Sequence, residues 1–215
     1  MAELKLGFAI FNPGAGNGDQ AVSVSAEKHT GRIQRSITAS VGTNEGAVTK
    51  QVVVNQAATL ENVSIQETAS VVKEGANVTI SGTSNSTKLT FSLTPDSVNP
   101  LNIELPATYM AGGVETANGA EVANDPGADN AYEYSITLTV PENVTVEALI
   151  ATLVVTDAAG NTDSTVITQT AGDPALEIDK EVINLDVDGT VQTLQVTSNT
   201  DWTISQVVAA AFRLR

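Results

Sequence analysis

The stretch VTDAAGNTDSTVITQ, residues 155–169, decides the fold. Two β-branched residues lead into the turn sequence Asp-Ala-Ala-Gly-Asn, and a run rich in Thr, Val and Ile follows it. Gly160 and Asn161 tolerate the positive φ that a tight hairpin needs. The stretch therefore predicts a β-hairpin whose second strand ends at Gln169.

The same pattern occurs earlier in the chain, at residues 48–56 (VTKQVVVNQ). Setting Gln56 over Gln169 places Val54 over Ile167, and each Gln is followed by small residues and then by a new apolar run. A repeated hairpin followed by a joint is typical of tandem units. We therefore predict three domains: residues 1–58, 59–172 and 173–215.

The composition favours strands throughout. Val, Thr and Ile supply 65 of the 215 residues, and their branched side chains favour strands over helices. Residues 111–131 are predicted to be a long surface loop because they lack apolar periodicity. Stretches that alternate with period two predict strands at residues 77–81, 88–93, 101–105, 132–140 and 149–156.

Charge excludes several classes of partner. A net charge of −15 repels nucleic-acid phosphates and anionic lipid, so we expect neither nucleic acid nor membrane as a partner. No run of 18 apolar residues occurs, and residues 4–11 are interrupted by Lys5, so neither a membrane span nor a signal peptide is predicted. The absence of Cys excludes disulfides and thiol catalysis.

The acidic residues are unevenly distributed. Residues 1–58 carry five basic and four acidic side chains, whereas residues 59–172 carry two basic and 14 acidic ones. Residues 173–215 carry three basic and seven acidic side chains. The simplest interpretation is solubility. The alternative is a near-neutral end that docks on a partner and an acidic end that faces solvent.

Two groups of residues carry a resemblance to known modules. Residues 157–161 (DAAGN) resemble the turn of bacterial immunoglobulin-like repeats. Residues 176–179 (LEID), with Gly189 and residues 191–204 (VQTLQVTSNTDWTI), resemble the opening of a BACON domain, and the most specific match is SNTDW at 198–202. Residues 35–38 (RSIT) and 52–56 (VVVNQ) are similar to the closing strands of that module.

BACON domains are immunoglobulin-like modules common in gut Bacteroidetes and their phages, including crAss-like phages. The resemblance implies an all-β chain of tandem immunoglobulin-like β-sandwich domains. It also implies that residues 1–58 are short for a complete module and that residues 173–215 are a partial one. Either the chain was cut, or the partial module is completed by another subunit, because an open sandwich exposes apolar faces and unpaired edges.

Candidate catalytic and metal-binding patterns are weak. The glycine-rich loop at residues 14–18 precedes a predicted strand rather than a helix, so a phosphate site is not expected. His29 lies in a predicted exposed turn, and aromatic residues make up only 4% of the chain, too few to line a cleft. We expect no enzyme activity and no cofactor.

Acidic loops offer two groups of oxygen ligands for calcium. The first group is Asp157, Asn161 and Asp163, and the second is Asp125, Asp129 and Glu133. Neither group matches a twelve-residue calcium loop, so turn chemistry is favoured and no metal site is predicted.

Trp202 is the single Trp of the chain and lies in the BACON-like stretch. The first interpretation is a core residue packed between two sheets, because aromatic side chains bury large areas. The alternative is a platform on which a sugar ring stacks. Trp202 is therefore the candidate glycan-binding residue.

The sequence and its resemblance together favour a phage virion structural protein, of capsid-decoration or head-fibre type, at the virion surface. On this hypothesis residues 4–11, Arg32 and Arg35 anchor the first domain on a capsid protein or on other copies of the chain, as a homo-oligomer. The apolar residues at 4–11 also fit the inward face of an ordinary strand. The alternative function is a glycan-binding or spacer module of a bacterial cell-surface protein.

Overall fold

The computed structural model describes residues 2–44, 46–94 and 100–206, and all regular elements in these ranges are β-strands. This confirms the all-β prediction. Residues 2–58 are called the N-terminal segment, residues 59–172 the sandwich, and residues 173–206 the C-terminal segment.

The N-terminal segment forms two small sheets. Strands β1 (Leu4–Leu6), β2 (Ala9–Asn12) and β3 (Ser23–Ala26) pair in the order β1-β2-β3, and β4 (Arg35–Gly42) and β5 (Thr49–Gln56) form a hairpin. Buried side chains of Ala9, Phe11 and Ala39 join the two sheets. This small core leaves Val24 and Val41 at 48% and 65% exposure.

The sandwich consists of two larger sheets, ordered β11-β10-β12-β8-β6 and β7-β14-β13-β9. Its strands are β6 (Val63–Ile65), β7 (Thr68–Val71), β8 (Ala76–Ser84), β9 (Leu89–Thr94), β10 (Thr108–Ala111), β11 (Val114–Ala117), β12 (Tyr132–Val140), β13 (Leu149–Asp157) and β14 (Thr162–Gln169).

The strand order is that of an immunoglobulin fold. Strands β6, β8, β12 and β10 correspond to the A, B, E and D strands of that fold, and β9, β13 and β14 correspond to C, F and G. The first strand is divided between the sheets: β6 pairs antiparallel with β8, and β7 pairs parallel with β14. The sandwich is therefore immunoglobulin-like, as the sequence predicts.

The core of the sandwich follows from the period-two alternation. Every second residue of β12 is buried, as expected for a strand with one face on the core: Tyr132, Tyr134, Ile136, Leu138 and Val140. Phe91 stacks edge-on against Tyr109 and Tyr134, with ring centroids 4.9 and 5.7 Å apart. Each such large apolar side chain stabilises the fold by about 1.5–3 kcal/mol on burial.

Two predictions for this part of the chain are wrong. Residues 101–105 form no strand, because Asn102 adopts a φ of 48° that interrupts the extended backbone, although Leu101 is buried. Residues 111–131 are not a single loop. Gly112 and Gly113 have positive φ and make the two-residue turn between β10 and β11.

The C-terminal segment has little regular structure. Strands β15 (Leu176–Ile178) and β16 (Val196–Ser198) pair antiparallel. Large apolar side chains that are at least 40% exposed occur along the whole segment: Leu176, Ile178, Val182, Ile183, Leu185, Val187, Val191, Trp202 and Ile204. The described strands therefore leave an open apolar face. The end of the predicted third domain, residues 207–215, lies outside the described residues.

Candidate functional site: two joints of the same design

The first joint, residues 57–62, connects the N-terminal segment to the sandwich through an Arg–carboxylate cluster. Arg32 donates to both carboxylate oxygens of Asp125, at 2.7 and 2.8 Å. Its Nε lies 3.0 Å from Glu61 Oε1, and its guanidinium also donates to the backbone carbonyl of Asn85. Such bidentate pairs fix orientation as well as adding energy.

Asp125 is held as a carboxylate by this contact. The hydrogen bond from Arg32 lowers the pKa of Asp125 below its usual 3.8, and partial burial acts in the opposite direction. The Arg32 and Asp125 side chains are 20% and 22% exposed, so water screens the pair only in part. The lowered pKa therefore keeps Asp125 ionised and paired with Arg32 at neutral pH.

Asn85 is the centre of the first joint. Its side-chain oxygen accepts the N–H of Asn62 at 2.7 Å, and its amide donates to the carbonyls of Leu60 and Ala128 at 3.0 and 2.7 Å. The hydroxyl of Ser84 donates to the carbonyl of Asn62 at 2.7 Å. Asn85 is 5% exposed, so these bonds are shielded from competing water.

The hairpin turn of the sandwich completes this joint. Asp157 Oδ1 accepts the N–H groups of Ala159 and Asn161 at 2.9 and 2.8 Å, which holds the turn closed. The side chain of Asn161 then donates to the carbonyl of Glu61 at 3.0 Å. The predicted turn thus has a second role, since it contacts the joint.

The second joint, residues 170–175, repeats this design. Asn199 accepts the N–H of Ala175 at 2.8 Å and donates to the carbonyls of Asp173 and Val144, both at 2.9 Å. The Ser198 hydroxyl donates to the Ala175 carbonyl at 2.9 Å. Asp173 and Ala175 lie 113 positions after Leu60 and Asn62, so the Ser-Asn pair binds equivalent backbone atoms in both joints.

Backbone contacts of the two joints also correspond. Thr59 N–H donates to the carbonyl of Gly31 at 3.0 Å, and Gly172 N–H donates to the carbonyl of Thr145 at 2.7 Å. In each case the joint is bonded to a loop of the unit that precedes it. The two joints therefore share this contact, whereas the third Asn bond differs: Asn85 donates to Ala128 of its own unit and Asn199 donates to Val144 of the preceding unit.

The three sequence-predicted site residues lie in different surroundings. Arg32 belongs to the first joint, whereas Arg35 donates to Gln56 Oε1 at 2.9 and 2.8 Å and stacks over the Phe8 ring, 4.5 Å from its centroid. Both guanidinium groups are thus bonded within the chain. Their predicted role as external anchors stays a prediction.

Trp202 is 49% exposed in the C-terminal segment, so its predicted place in a core is wrong for the described structure. The physical reason is that β15 and β16 form a two-stranded sheet, and no second sheet of the described residues covers Trp202. Glycan stacking by Trp202 stays a prediction.

Five of the six candidate calcium ligands, all but Glu133, have other partners in the sandwich or the first joint. Asp125 pairs with Arg32, Asp129 pairs with Lys28, and Asp163 accepts the N–H of Ile65 at 2.9 Å. Among residues 2–44, 46–94 and 100–206, no three acidic or His side chains are grouped to hold a metal ion. The described chain also contains no helix long and apolar enough to cross a membrane.

Sequence reasoning missed the hydrogen-bonding role of the central residues of both joints. Asn85 and Asn199 occur in the short repeated sequences SNS at 84–86 and SNT at 198–200. Each of these follows a polar-apolar strand and precedes a turn, a signal that comparison of the two repeats could have found. The pairing of Arg32 with Asp125, 93 positions apart, has no local signal.

Comparisons with known proteins add two similar structures. The chain is similar to the BIgI domain of the β protein from S. agalactiae bound to CEACAM1, with 19% identity, a TM-score of 0.27, and coverage of 52% of this chain and 95% of that one. It is also similar to BcpA, the major pilin subunit of Bacillus cereus, with 12% identity, a TM-score of 0.34, and coverage of 89% and 70%. Because these scores are low, the fold assignment rests on strand order. No family model and no curated protein matches the chain.

Proposed function

We propose that this chain is a non-enzymatic structural protein of the capsid-decoration or head-fibre type, which presents its immunoglobulin-like sandwich at the surface of a phage particle. The observation that carries the proposal is the pair of equivalent joints. In each joint an Asn of the following unit bonds the linker backbone, and a linker N–H donates to a loop of the preceding unit. This arrangement favours a linear chain of fixed units over a catalyst, because a catalyst needs a cleft with converging chemical groups.

The distribution of charge favours one orientation of the chain on the particle. The N-terminal segment is near neutral, whereas the sandwich has 14 acidic and two basic side chains. Acidic surfaces repel one another and keep projecting units apart. On this proposal the N-terminal segment docks on a capsid protein or on other copies of the chain, and the sandwich projects into solvent.

The test is the location of the protein. Gradient-purified phage particles are analysed by mass spectrometry and labelled with gold-coupled antibody raised against the sandwich. We expect the protein in the particle fraction and label on the outer surface. Protein that stays entirely in the host-cell fraction would contradict the proposal.

A second candidate function is glycan binding at a bacterial cell surface, which the half-exposed Trp202 favours. An exposed indole ring can stack on a sugar ring. Binding of the purified chain to a glycan array, lost in Trp202→Ala and kept in Val191→Ala, would support this function. Val191 is a suitable control because it is 90% exposed in the same segment.

A further inference from the structure

We infer that the C-terminal segment of one copy completes the N-terminal segment of a second copy, so that chains join head to tail through a composite immunoglobulin-like sandwich. This goes beyond the proposed function and does not depend on it. The occupant of the open apolar face is therefore a second copy of this chain.

The sandwich shows how the two segments fit. Its five-stranded sheet consists of β11, β10 and β12 on one side and the pair β8 and β6 on the other. The described N-terminal segment has a three-stranded sheet, β1-β2-β3, and the C-terminal segment has the antiparallel pair β15-β16. Adding β16 beside β3, as β8 lies beside β12, gives a five-stranded sheet.

The C-terminal pair corresponds to the first strands of the sandwich. Leu176 and Ile178 lie 113 positions after Val63 and Ile65. The β15–β16 register pairs Leu176 with Ser198, as the β6–β8 register pairs Val63 with Ser84. The shared Ser-Asn contacts of the joints extend this correspondence to hydrogen bonds.

The hairpin of the N-terminal segment corresponds to the last strands of the sandwich. In the β4–β5 hairpin, Ala39 pairs with Val52. In the β13–β14 hairpin, Leu153 pairs with Thr165, and Thr165 lies 113 positions after Val52. Strand β14 has β7 along its outer edge, whereas no strand of the described residues lies along the corresponding edge of β5. A strand of another chain can therefore add there.

The exposed fraction of a side chain differs between positions of the sandwich and the equivalent positions of the two terminal segments. Ile65 is 5% exposed, but its counterpart Ile178 is 49% exposed. Thr165 is completely buried, but its counterpart Val52 is 42% exposed. These side chains therefore lie at positions that are covered in the complete sandwich and open in the two partial segments.

The two segments are attached at opposite ends of the sandwich, which favours pairing between chains over pairing within one chain. The first joint contacts Asn85, just after β8, and the second contacts Val144, just after β12. Strands β8 and β12 are antiparallel, so these two points lie at opposite ends of the sheet. Nine residues of strand span about 30 Å.

Shape and charge fit the proposed pairing. A groove of about 400 Å³ lies between the two sheets of the N-terminal segment, and Leu6, Phe11 and Ala39 are among its lining residues. The C-terminal segment carries seven acidic side chains and one Lys over residues 173–206, whereas the N-terminal segment has a small basic excess that includes exposed Lys50. An acidic segment is repelled by a second acidic segment but not by a near-neutral one, so charge favours association of different ends over two C-terminal ends.

The register of β7 with β14 in the sandwich shows which two residues of neighbouring chains should lie side by side and can be crosslinked. Val166 of β14 lies opposite Thr68 of β7. The positions equivalent to these are Val53 in β5 and Glu181 in the C-terminal segment. Neighbouring strands lie about 4.8 Å apart, within the Cα distance of about 4.4–6.8 Å that a disulfide spans. The chain has no native Cys, so two introduced Cys residues report this contact alone.

The first experiment mixes the full-length single variants Val53→Cys and Glu181→Cys under mild oxidation. We expect a disulfide-linked dimer in the mixture that is absent from either variant alone, and also absent when Thr79→Cys replaces Val53→Cys. Thr79 is an exposed residue of β8, on the sandwich. Equal crosslinking with Thr79→Cys, or an intrachain disulfide in the double variant, would overturn the inference.

The second experiment measures mass by light scattering over a range of concentrations. The wild-type chain should form oligomers that grow with concentration, and Ile178→Asp should remain a monomer. Ile150→Asp is the matched control, because Ile150 is 55% exposed on the sandwich and should leave assembly unchanged. A wild-type chain that stays monomeric would refute the inference. Both experiments use purified protein, so their outcome is independent of whether the protein occurs in phage particles.

Discussion

At the scale of single residues, the joints depend on side chains that have few substitutes. Asn can accept one backbone N–H while donating to two carbonyls, and Asn85 and Asn199 each do so. Asp accepts but does not donate when ionised, and Ser has one donor. The residue type therefore follows from the three backbone groups that each joint leaves to be satisfied.

Replacement of Asn85 tests this requirement. Asn85→Ala leaves the Asn62 N–H and two carbonyls without their partner in a buried site, so the free energy of unfolding should fall by about 2–4 kcal/mol. Urea denaturation of the full chain measures the change. The control Asn130→Ala, at an exposed position, should change stability by less than about 0.5 kcal/mol. Equal effects of the two substitutions would contradict this prediction.

The lowered pKa of Asp125 leads us to expect that the stability of the chain depends on pH. Its pKa is lowered in the folded chain by the Arg32 hydrogen bond. The stabilisation is therefore complete above the unfolded-state pKa and is lost as the pH falls through the folded-state pKa. The stability difference between wild type and Asp125→Asn should shrink as the pH falls from about 5 to about 2. Chemical denaturation at several pH values measures it, and a constant difference would argue against the contact.

At the scale of strands, period-two alternation predicted the bounds of the long strands of the sandwich. The strand predicted at 132–140 has those bounds in β12, and the one predicted at 149–156 ends one residue later in β13. Alternation is a property of neighbouring residues, so a single sequence shows it. Residues 101–105 alternate too, yet they form an irregular segment. Asn102 has a positive φ, and the segment is partly buried but is not a strand of either sheet of the sandwich. The joints depend on contacts between distant residues, which alternation does not record.

Gly82 supplies a test of the edge of the five-stranded sheet. A Cβ on Gly82 would clash with the carbonyl of Ser64 and the ring of Tyr134, whose hydroxyl donates to that same carbonyl at 2.9 Å. Gly82→Ala should force β6 away from β8 and destabilise the chain by about 1–3 kcal/mol. Thermal unfolding measures the loss. Ser81→Ala, at the exposed neighbouring position, should have almost no effect, and a neutral Gly82→Ala would show that β6 is loosely held.

At the scale of the whole molecule, the first joint decides whether the N-terminal segment and the sandwich move together. Across it, Arg32 bonds to Asp125 and Glu61, and Lys28 pairs with Asp129. The bidentate Arg32–Asp125 pair fixes an orientation as well as a distance, because two parallel hydrogen bonds join the two side chains. Relative motion of the two parts should therefore respond strongly to a single substitution.

Arg32→Ala should loosen this joint without unfolding the sandwich. Loss of one partner from a partly buried ion pair costs about 1–3 kcal/mol locally, and the N-terminal segment should then reorient independently. NMR relaxation measures this as two correlation times where the wild-type chain has one. Lys28→Ala is the control, because the Lys28 side chain is 72% exposed in its ion pair with Asp129. A single correlation time in Arg32→Ala would show that other contacts hold the joint.

The parallel pairing of β7 with β14 determines how the sandwich resists a pulling force. The chain enters the sandwich just before β6 and leaves it after β14, so tension on the chain draws β7 and β14 in opposite directions along one shared ladder. The four residue pairs from Val166–Thr68 to Gln169–Val71 are then loaded in shear and must break together, whereas an antiparallel terminal pair would unzip bond by bond. A sandwich built in this way transmits a load along the chain while it stays folded.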